Sequence, residues 1–234
     1  MRHKVGGCQG SWIVGVDEAG RGSIIGEMFV AAFAVPSDDV VLLEEVGARD
    51  SKELSRASRA EVYRRLASVG RFSVVTAKPQ EIDSYNLNKL TTRKVVEALS
   101  RLAKLLGGWC EILAIYVDKY GDSAGLRDSL RRRGYKGPII VEEKADARYP
   151  VVGAASIVAK YLRDARIEAL RRLYGFRGSG YPSDPETVEW LREVFARGEK
   201  PAIIRYSWDT VKKLGGPWMK KQAATIRTLD EFMK

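Results

Sequence analysis

The chain has 234 residues, 45% of them hydrophobic, and a formal charge of +10 at pH 7; it is long enough to bury a sizeable core, and basic enough to favour a polyanionic partner, because cationic faces release condensed counterions on meeting phosphates. Its one histidine, His3, sits near the N-terminus, which excludes Ser-His triads and imidazole acid–base chemistry. Two cysteines without Cys-x-x-Cys spacing indicate neither a thiolate zinc site nor a disulfide framework, and no apolar window suits a membrane span or a signal peptide, so we expect a cytoplasmic protein in which Cys110 is a buried free thiol.

Trp12–Val16 and Met28–Val35 are β-rich runs on either side of a glycine turn, and Phe72–Thr76 is a third, which predicts an antiparallel meander of three strands. Between the second and third, Ser58 and Glu61 form a capping-box pattern, and Val62, Leu66 and Val69 mark one face of a helix. Leu90, Val95, Val96, Leu99, Leu102, Ala103 and Leu106 then recur at helical spacing up to the break at Gly107-Gly108. Ile112–Val117 is a continuously apolar strand ending in Asp118; a helix over Leu126–Arg133 and a fifth strand over Pro138–Val141 follow, and this order implies a parallel crossover pair. Arg131, Arg132 and Arg133 read as a solvated helix end that complements the dipole. Ala154–Leu173 and Asp184–Ala196 are two further helices. The expected architecture is α/β: a five-stranded mixed sheet flanked by helices over residues 1–206, then a small basic helical appendage and tail over 207–234 that carries Trp208, Lys212, Lys213 and Trp218.

Three of these strands end in acids. Asp17 and Glu18 close the first, Asp118 the fourth, and Glu142 and Glu143 the fifth, with Asp146 close behind. Ligands of open α/β sheets gather at the carboxyl ends of the strands, so these side chains are expected to converge; spacing alone leaves open whether Glu142, Glu143 or Asp146 completes the set. An all-oxygen set suits Mg²⁺ or Mn²⁺ better than zinc, and it offers metal-activated water for attack on phosphorus. Neighbours on a strand face opposite ways, so Asp17 and Glu18 are expected to serve one centre by the strand stopping at Gly20 and Gly22. The same Gly20-Arg21-Gly22 turn brings backbone N–H groups and one guanidinium close to a phosphate or sugar.

Six ordered motifs resemble one family. They are Val16-Asp17-Glu18-Ala19-Gly20-Arg21-Gly22, Arg49-Asp50-Ser51-Lys52, Tyr116-Val117-Asp118, Lys144-Ala145-Asp146, Ala154 to Lys160 with Arg163-Asp164, and Gly178-Ser179-Gly180-Tyr181-Pro182. Together they resemble type 2 ribonuclease H (ribonuclease HII) in its archaeal form. The resemblance implies the ribonuclease H-like fold and an endoribonuclease acting on the RNA strand of RNA–DNA hybrids and on single ribonucleotides in duplex DNA, leaving 3′-hydroxyl and 5′-phosphate ends. It implies Asp17, Glu18, Asp118 and Asp146 as the catalytic, metal-binding carboxylates, and it leaves Glu143, where relatives often carry His, without a role. Gly20, Arg21 and Gly22 would sense the ribose 2′-hydroxyl and adjacent phosphate, with Tyr181 stacking on the neighbouring deoxyribose. Lys52 matches a phosphate-contact position, and so does Ser156, whose place near a helix start suits an anion. Lys160, Arg163 and Asp164 read equally well as a surface lattice of charges on that helix. Finally, Ile226, Leu229, Phe232 and Met233 are spaced like the tail motif with which archaeal relatives bind the sliding clamp (PCNA), with Ile226 in place of the usual Gln and Met233 in place of the second aromatic. A monomer is expected.

Overall fold

The structure is a computed structural model that describes residues 10–48, 55–121 and 123–215. Lys52 and the tail residues Ile226, Leu229, Phe232 and Met233 lie outside the described residues, as does the appendage beyond a helical turn over 209–215. Five strands form one sheet in the order β3-β2-β1-β4-β5. β1 (Trp12–Ala19) pairs antiparallel with β2 (Met28–Pro36), which pairs antiparallel with β3 (Arg71–Ala77); on its other side β1 runs parallel to β4 (Ile112–Asp118), which runs parallel to β5 (Ile139–Glu142). The expected meander and parallel crossover pair are both present.

The chain forms two compact units. The first comprises Met1–Arg21, Met28–Ala77 and Asn86–Asp164, and holds the sheet. β2 is buried from Met28 to Val35, which is why it reads as an unbroken apolar run rather than an alternating one: helices cover both of its faces. Its odd-numbered residues Phe29, Ala31, Phe33 and Val35 join a core with α2 (Arg56–Val69) and the first part of α7 (Pro150–Tyr174). Between those helices the rings of Tyr63 and Tyr161 stack 4.1 Å apart. On the opposite face lies α4 (Leu87–Leu106), whose Thr91 hydroxyl meets Met28 Sδ at 3.8 Å. Asn86 caps α4 by accepting from the Asn88 and Lys89 N–H groups, and Gly107 ends it at a φ of 103°. α5 (Ala124–Arg132) packs beside α4.

The second unit comprises Gly22–Glu27, Lys78–Tyr85 and Ala165–Lys234. It contains α3 (Pro79–Ser84), residues 165–174 of α7, α8 (Pro185–Ala196) and a core built on Ile24, Ile25, Leu170, Trp190, Leu191 and Ile204.

Local details depart from the sequence reading for identifiable reasons. α2 is capped by Ser55, whose hydroxyl accepts from the Ser58 N–H at 3.1 Å, so Ser58 is the third helical residue and not the cap. α7 starts at Pro150, ahead of the expected Ala154, because proline is well placed in a first helical turn. Cys110 is exposed in a 3₁₀ turn (Trp109–Glu111) and engaged in a disulfide, not a buried thiol; a single bridge leaves no spacing pattern to read.

Close approach of α7 to β1 depends on Gly15, where an added Cβ would lie 2.2 Å from the Val151 carbonyl oxygen. Backbone cannot yield as a side chain can, so Gly15→Ala is expected to destabilise the protein by about 2–3 kcal/mol through overpacking. Denaturant unfolding would measure this, and a variant as stable as the parent would show that the helix can move away without penalty.

Candidate active site

β1 outlasts its pairing with β4. The parallel pairing ends at Val16↔Val117, whereas β2 accompanies β1 to Ala19↔Phe29. Asp17 is therefore one step past the last β1–β4 pair, beside Asp118, the final residue of β4; adjacent strands lie about 4.8 Å apart. Gly15 faces the α7 backbone, and alternation turns Asp17, two residues on, towards the same helix. The strand ends at Ala19, against Gly20 as expected, but Glu18 is still within it and is not freed to turn towards the side of Asp17. The two acids point to opposite faces, and the Glu18 N–H donates to Asp17 Oδ1 at 2.7 Å.

Burial dominates the electrostatics. Asp17 is only 6% exposed, and its carboxyl is pushed up to about 7, first by loss of water and then by repulsion from Asp118; the Ser156 hydroxyl, the Glu18 N–H and the Lys160 ammonium act in the other direction. Glu18 is pushed up to about 8 by burial and by repulsion from Asp17 and Asp118, with Arg21 opposing. Ser156 and Lys160 occupy one face of α7, four residues apart. Ser156 lies in the second turn of that helix, where backbone N–H groups are already used, so its hydroxyl is what it offers to a ligand. Its buried Oγ makes no hydrogen bond of ordinary geometry among the described residues. Arg163 is buried and Asp164 pairs with Arg59 of α2 at 2.5 Å, so tertiary contacts replace the surface lattice considered for this stretch.

The remaining acids divide into two groups. Asp118 accepts from the Ala145 N–H at 2.7 Å, which ties β4 to the start of α6 (Ala145–Arg148). The next residue is Asp146, 5% exposed. Lys144, just before this turn, has a φ of 56°, a left-handed conformation that costs a non-glycine residue about 1–2 kcal/mol. Glu142 is committed elsewhere: it accepts from Arg148 at 3.0 Å and from the Tyr149 hydroxyl at 3.2 Å. Glu143 is exposed and pairs with Lys119 at 2.9 Å, and that hydrogen bond holds its carboxyl below the usual range. Both neighbours are thus satisfied without a ligand.

The donor set fits a hard divalent cation, since it consists of carboxylate oxygens with a buried hydroxyl alongside and no nitrogen or sulfur ligand. Among the described residues, no three acids are gathered closely enough to hold an ion together as they stand. Repulsion between buried carboxylates opposes such closeness, and a divalent cation is what offsets it.

The glycine turn separates into distinct tasks. Gly20 has a φ of 80°, which only glycine adopts freely. Arg21 turns its guanidinium onto α4, donating to Asn88 Oδ1 and Thr91 Oγ1. In the second unit, Gly22 is exposed, its nearest neighbour for an added Cβ being the Tyr181 ring at 3.9 Å. The buried Ser23 hydroxyl donates to the Gly180 carbonyl at 2.7 Å, and that carbonyl also accepts from the Ile24 N–H at 2.8 Å. Thr187 Oγ1 holds the Gly180 N–H at 3.0 Å, and Asp184 accepts from the Ser179 N–H. Ser23, Thr187 and Asp184 thereby fix the turn that presents Tyr181. Sequence reading missed them as supporting residues; Asp184 alone left a signal, as the residue that opens the next helix.

Comparison with known proteins agrees with the fold. The family model described as Ribonuclease HII matches residues 14–211. The Ribonuclease HII of Aeropyrum pernix is 58% identical over 222 residues, covering 94% of this chain and 98% of its own; that of Pyrococcus furiosus is 40% identical over 228 residues, covering 95% and 98%. Among solved structures, the ribonuclease H2 from Pyrococcus horikoshii OT3 superposes with a TM-score of 0.79 at 36% identity, covering 89% of this chain and 99% of its own. The PCNA:RNase HII complex from Archaeoglobus fulgidus gives a TM-score of 0.76 at 35% identity, covering 86% and 96%. Bst-RNase HIII in complex with Mn²⁺ shares the fold, with a TM-score of 0.75 at 21% identity, covering 88% and 70%.

Asp17 and Glu18 hold their protons more tightly in the folded chain than in an unfolded one, at about 7 and 8 against 3.8 and 4.5. The metal-free stability they contribute is thus present at low pH and is lost as pH rises through that window. Asp17→Asn is expected to stabilise the metal-free protein at pH 8 by on the order of 3 kcal/mol, with little change near pH 4. Denaturant unfolding at the two pH values checks this; equal stability of variant and parent at pH 8 would contradict the burial of charge.

Proposed function

The chain belongs to the ribonuclease HII family, and we propose that Asp17, Glu18, Asp118 and Asp146 are the metal-binding carboxylates of its catalytic centre. The protein is a metal-dependent endoribonuclease that hydrolyses the RNA strand of RNA–DNA hybrids and cuts at ribonucleotides within duplex DNA, leaving a 3′-hydroxyl and a 5′-phosphate. The observation that supports this site most strongly is the placement of a buried Asp17 beside a half-buried Asp118 towards the ends of two parallel strands, where the two carboxylates repel each other.

A divalent cation bound there supplies Lewis acidity for activating water and for stabilising the leaving oxygen. We infer Mg²⁺ or Mn²⁺ from the all-oxygen donor set. The chain's own residues then have separable tasks. Lys160 and the Glu18 N–H favour the ionised form of Asp17, the form that binds a cation. Asp118 holds the Ala145 N–H and so sets where Asp146 begins. Arg21, fastened to α4, fixes the turn while its flanking backbone groups are left to read a ribose 2′-hydroxyl, the group that distinguishes RNA from DNA. Lys52 and Ser156 are assigned to substrate phosphates, and Tyr181 to stacking on a deoxyribose. A nucleic-acid substrate supports a cytoplasmic location.

The solved PCNA:RNase HII complex from Archaeoglobus fulgidus supports a further partner, a sliding clamp engaged by Ile226, Leu229, Phe232 and Met233. An apolar anchor and an aromatic in a short tail suit a groove on such a partner.

Asp17→Asn and Asp118→Asn are each expected to retain duplex binding while cleavage of a duplex with one embedded ribonucleotide falls about 10³-fold, as loss of about 4 kcal/mol of transition-state stabilisation dictates. Cleavage near the parental rate by either variant would refute the assignment. For the tail, Leu229→Ala combined with Phe232→Ala is expected to abolish co-elution with the clamp and leave cleavage of a short duplex unchanged; co-elution that survives the double change removes the tail from the interface.

A further inference from the structure

Two depressions of about 580 and 410 Å³ lie between α4 and α5 and share Lys89, Thr92 and Ser129, so they form one groove. Its cations, Lys89, Arg93, Arg132 and Arg133, are all exposed, and among the described residues the lining sets two acids against them, Glu97 and Asp128. Glu97 is already paired along its own helix, with Arg101 at 2.5 Å and Lys94 at 3.9 Å. Ser129 orients the two arginines: its carbonyl accepts from Arg133 Nη1 at 3.0 Å and its Oγ from Arg132 Nη2 at 3.4 Å. The arginine run does end a helix, as its sequence implies. What the sequence does not display is that a second helix sets Lys89 and Arg93 opposite it.

This groove begins at the glycine turn. Asn88, in its wall, accepts from Arg21, which follows Asp17 and Glu18 by a few residues on the same strand end. From Asn86 to Ser100 the axis of α4 rises roughly 21 Å at about 1.5 Å per residue, close to the length of about six base pairs. A row of cations with interspersed hydroxyl and amide groups at this length suits repeated phosphates, and such contacts position a duplex without reading its bases.

We propose that the α4–α5 groove binds the phosphodiester backbone of the substrate duplex outside the cut, a subsite that extends the reach of the enzyme along nucleic acid. The proposal rests on the ribonuclease reading of the neighbouring carboxylates. The groove contributes to capture and register, not to chemistry, so its loss appears in KM and in salt dependence.

The test compares the parent with a triple variant, Lys89→Ala, Arg93→Ala and Arg132→Ala, whose fold is verified by circular dichroism and thermal melting. The probe is a duplex of about 24 base pairs with one embedded ribonucleotide, about four groove lengths. The expected result is a KM raised about tenfold at physiological salt with kcat unchanged, and a log–log salt slope reduced by about 2.7, the value for three lost phosphate contacts. Unchanged KM and salt slope, in a variant assayed beside a fully active parent, overturn the groove. A loss confined to kcat overturns it too. A parent that cuts no ribonucleotide-containing duplex instead overturns the ribonuclease reading, and with it the substrate assigned to the groove.

Discussion

The burial of a single carboxylate constrains most of what surrounds it. Asp17 stands at the end of a central strand, covered by α7 on the face it points to and next to a second acid, Asp118. An ionised carboxylate taken out of water without a partner costs several kcal/mol. The fold offsets part of this with one N–H from Glu18 and the positive charge of Lys160, and the carboxyl keeps a raised proton affinity for the rest. Only a strand with neighbours on both sides can hold an acid this way, because the flanking strands exclude water and fix its register. β1 is that strand, and β4 supplies the second acid by ending almost level with it.

The same constraint explains why the turn after β5 is strained. Asp146 must follow a residue whose N–H reaches Asp118, and the chain achieves this through a left-handed Lys144, a conformation most side chains avoid. Glu142 and Glu143 would add further negative charge to a region already difficult to keep ionised. Each is instead drawn off by a cation, Arg148 for one and Lys119 for the other. The local pairing thus limits the unpaired negative charge beside Asp17 and Asp118, and strain is accepted where it positions an acid.

How much of this was legible in the sequence depends on the range of the forces involved. The strands and α4 were readable because burial on two faces or on one helical stripe leaves a local periodic trace, as in Met28–Val35 and in the Leu90 to Leu106 series. The acids at Asp17 and Asp118 were readable because they close apolar runs. The proposal of Asp146 over Glu142 and Glu143 had no such trace, since the commitment of those two glutamates turns on side-chain pairing across a short turn, and family resemblance alone pointed to Asp146. Ser55 was passed over for Ser58 because Glu61 stands three residues after Ser58 and completes a capping-box pattern, whereas the residue three after Ser55 is Ser58 itself. The hold of Arg21 on Asn88 and Thr91 joins positions nearly seventy residues apart, and no local pattern records a contact of that kind.

Two glycines of one turn illustrate the difference between what a fold requires and what it leaves open. Gly20 is needed by the chain itself, because its backbone angle excludes ordinary side chains. Gly22 is not: its angle lies outside the left-handed region and a Cβ would meet nothing closer than 3.9 Å. Within the protein, then, no physical reason keeps Gly22 bare. The segment that follows it is nevertheless fastened firmly, by Ser23 to the Gly180 carbonyl and by the Ile24 N–H to the same oxygen. A backbone held rigid and left uncovered is suited to approach by another molecule, since its polar groups are pre-positioned and no side chain stands in the way. A ribose hydroxyl, the partner proposed for this turn, is small enough to use such an approach, and its absence from DNA leaves the same backbone groups without that partner; on that proposal, selectivity for RNA rests on main-chain geometry that the side-chain sequence conveys only as a missing methyl group.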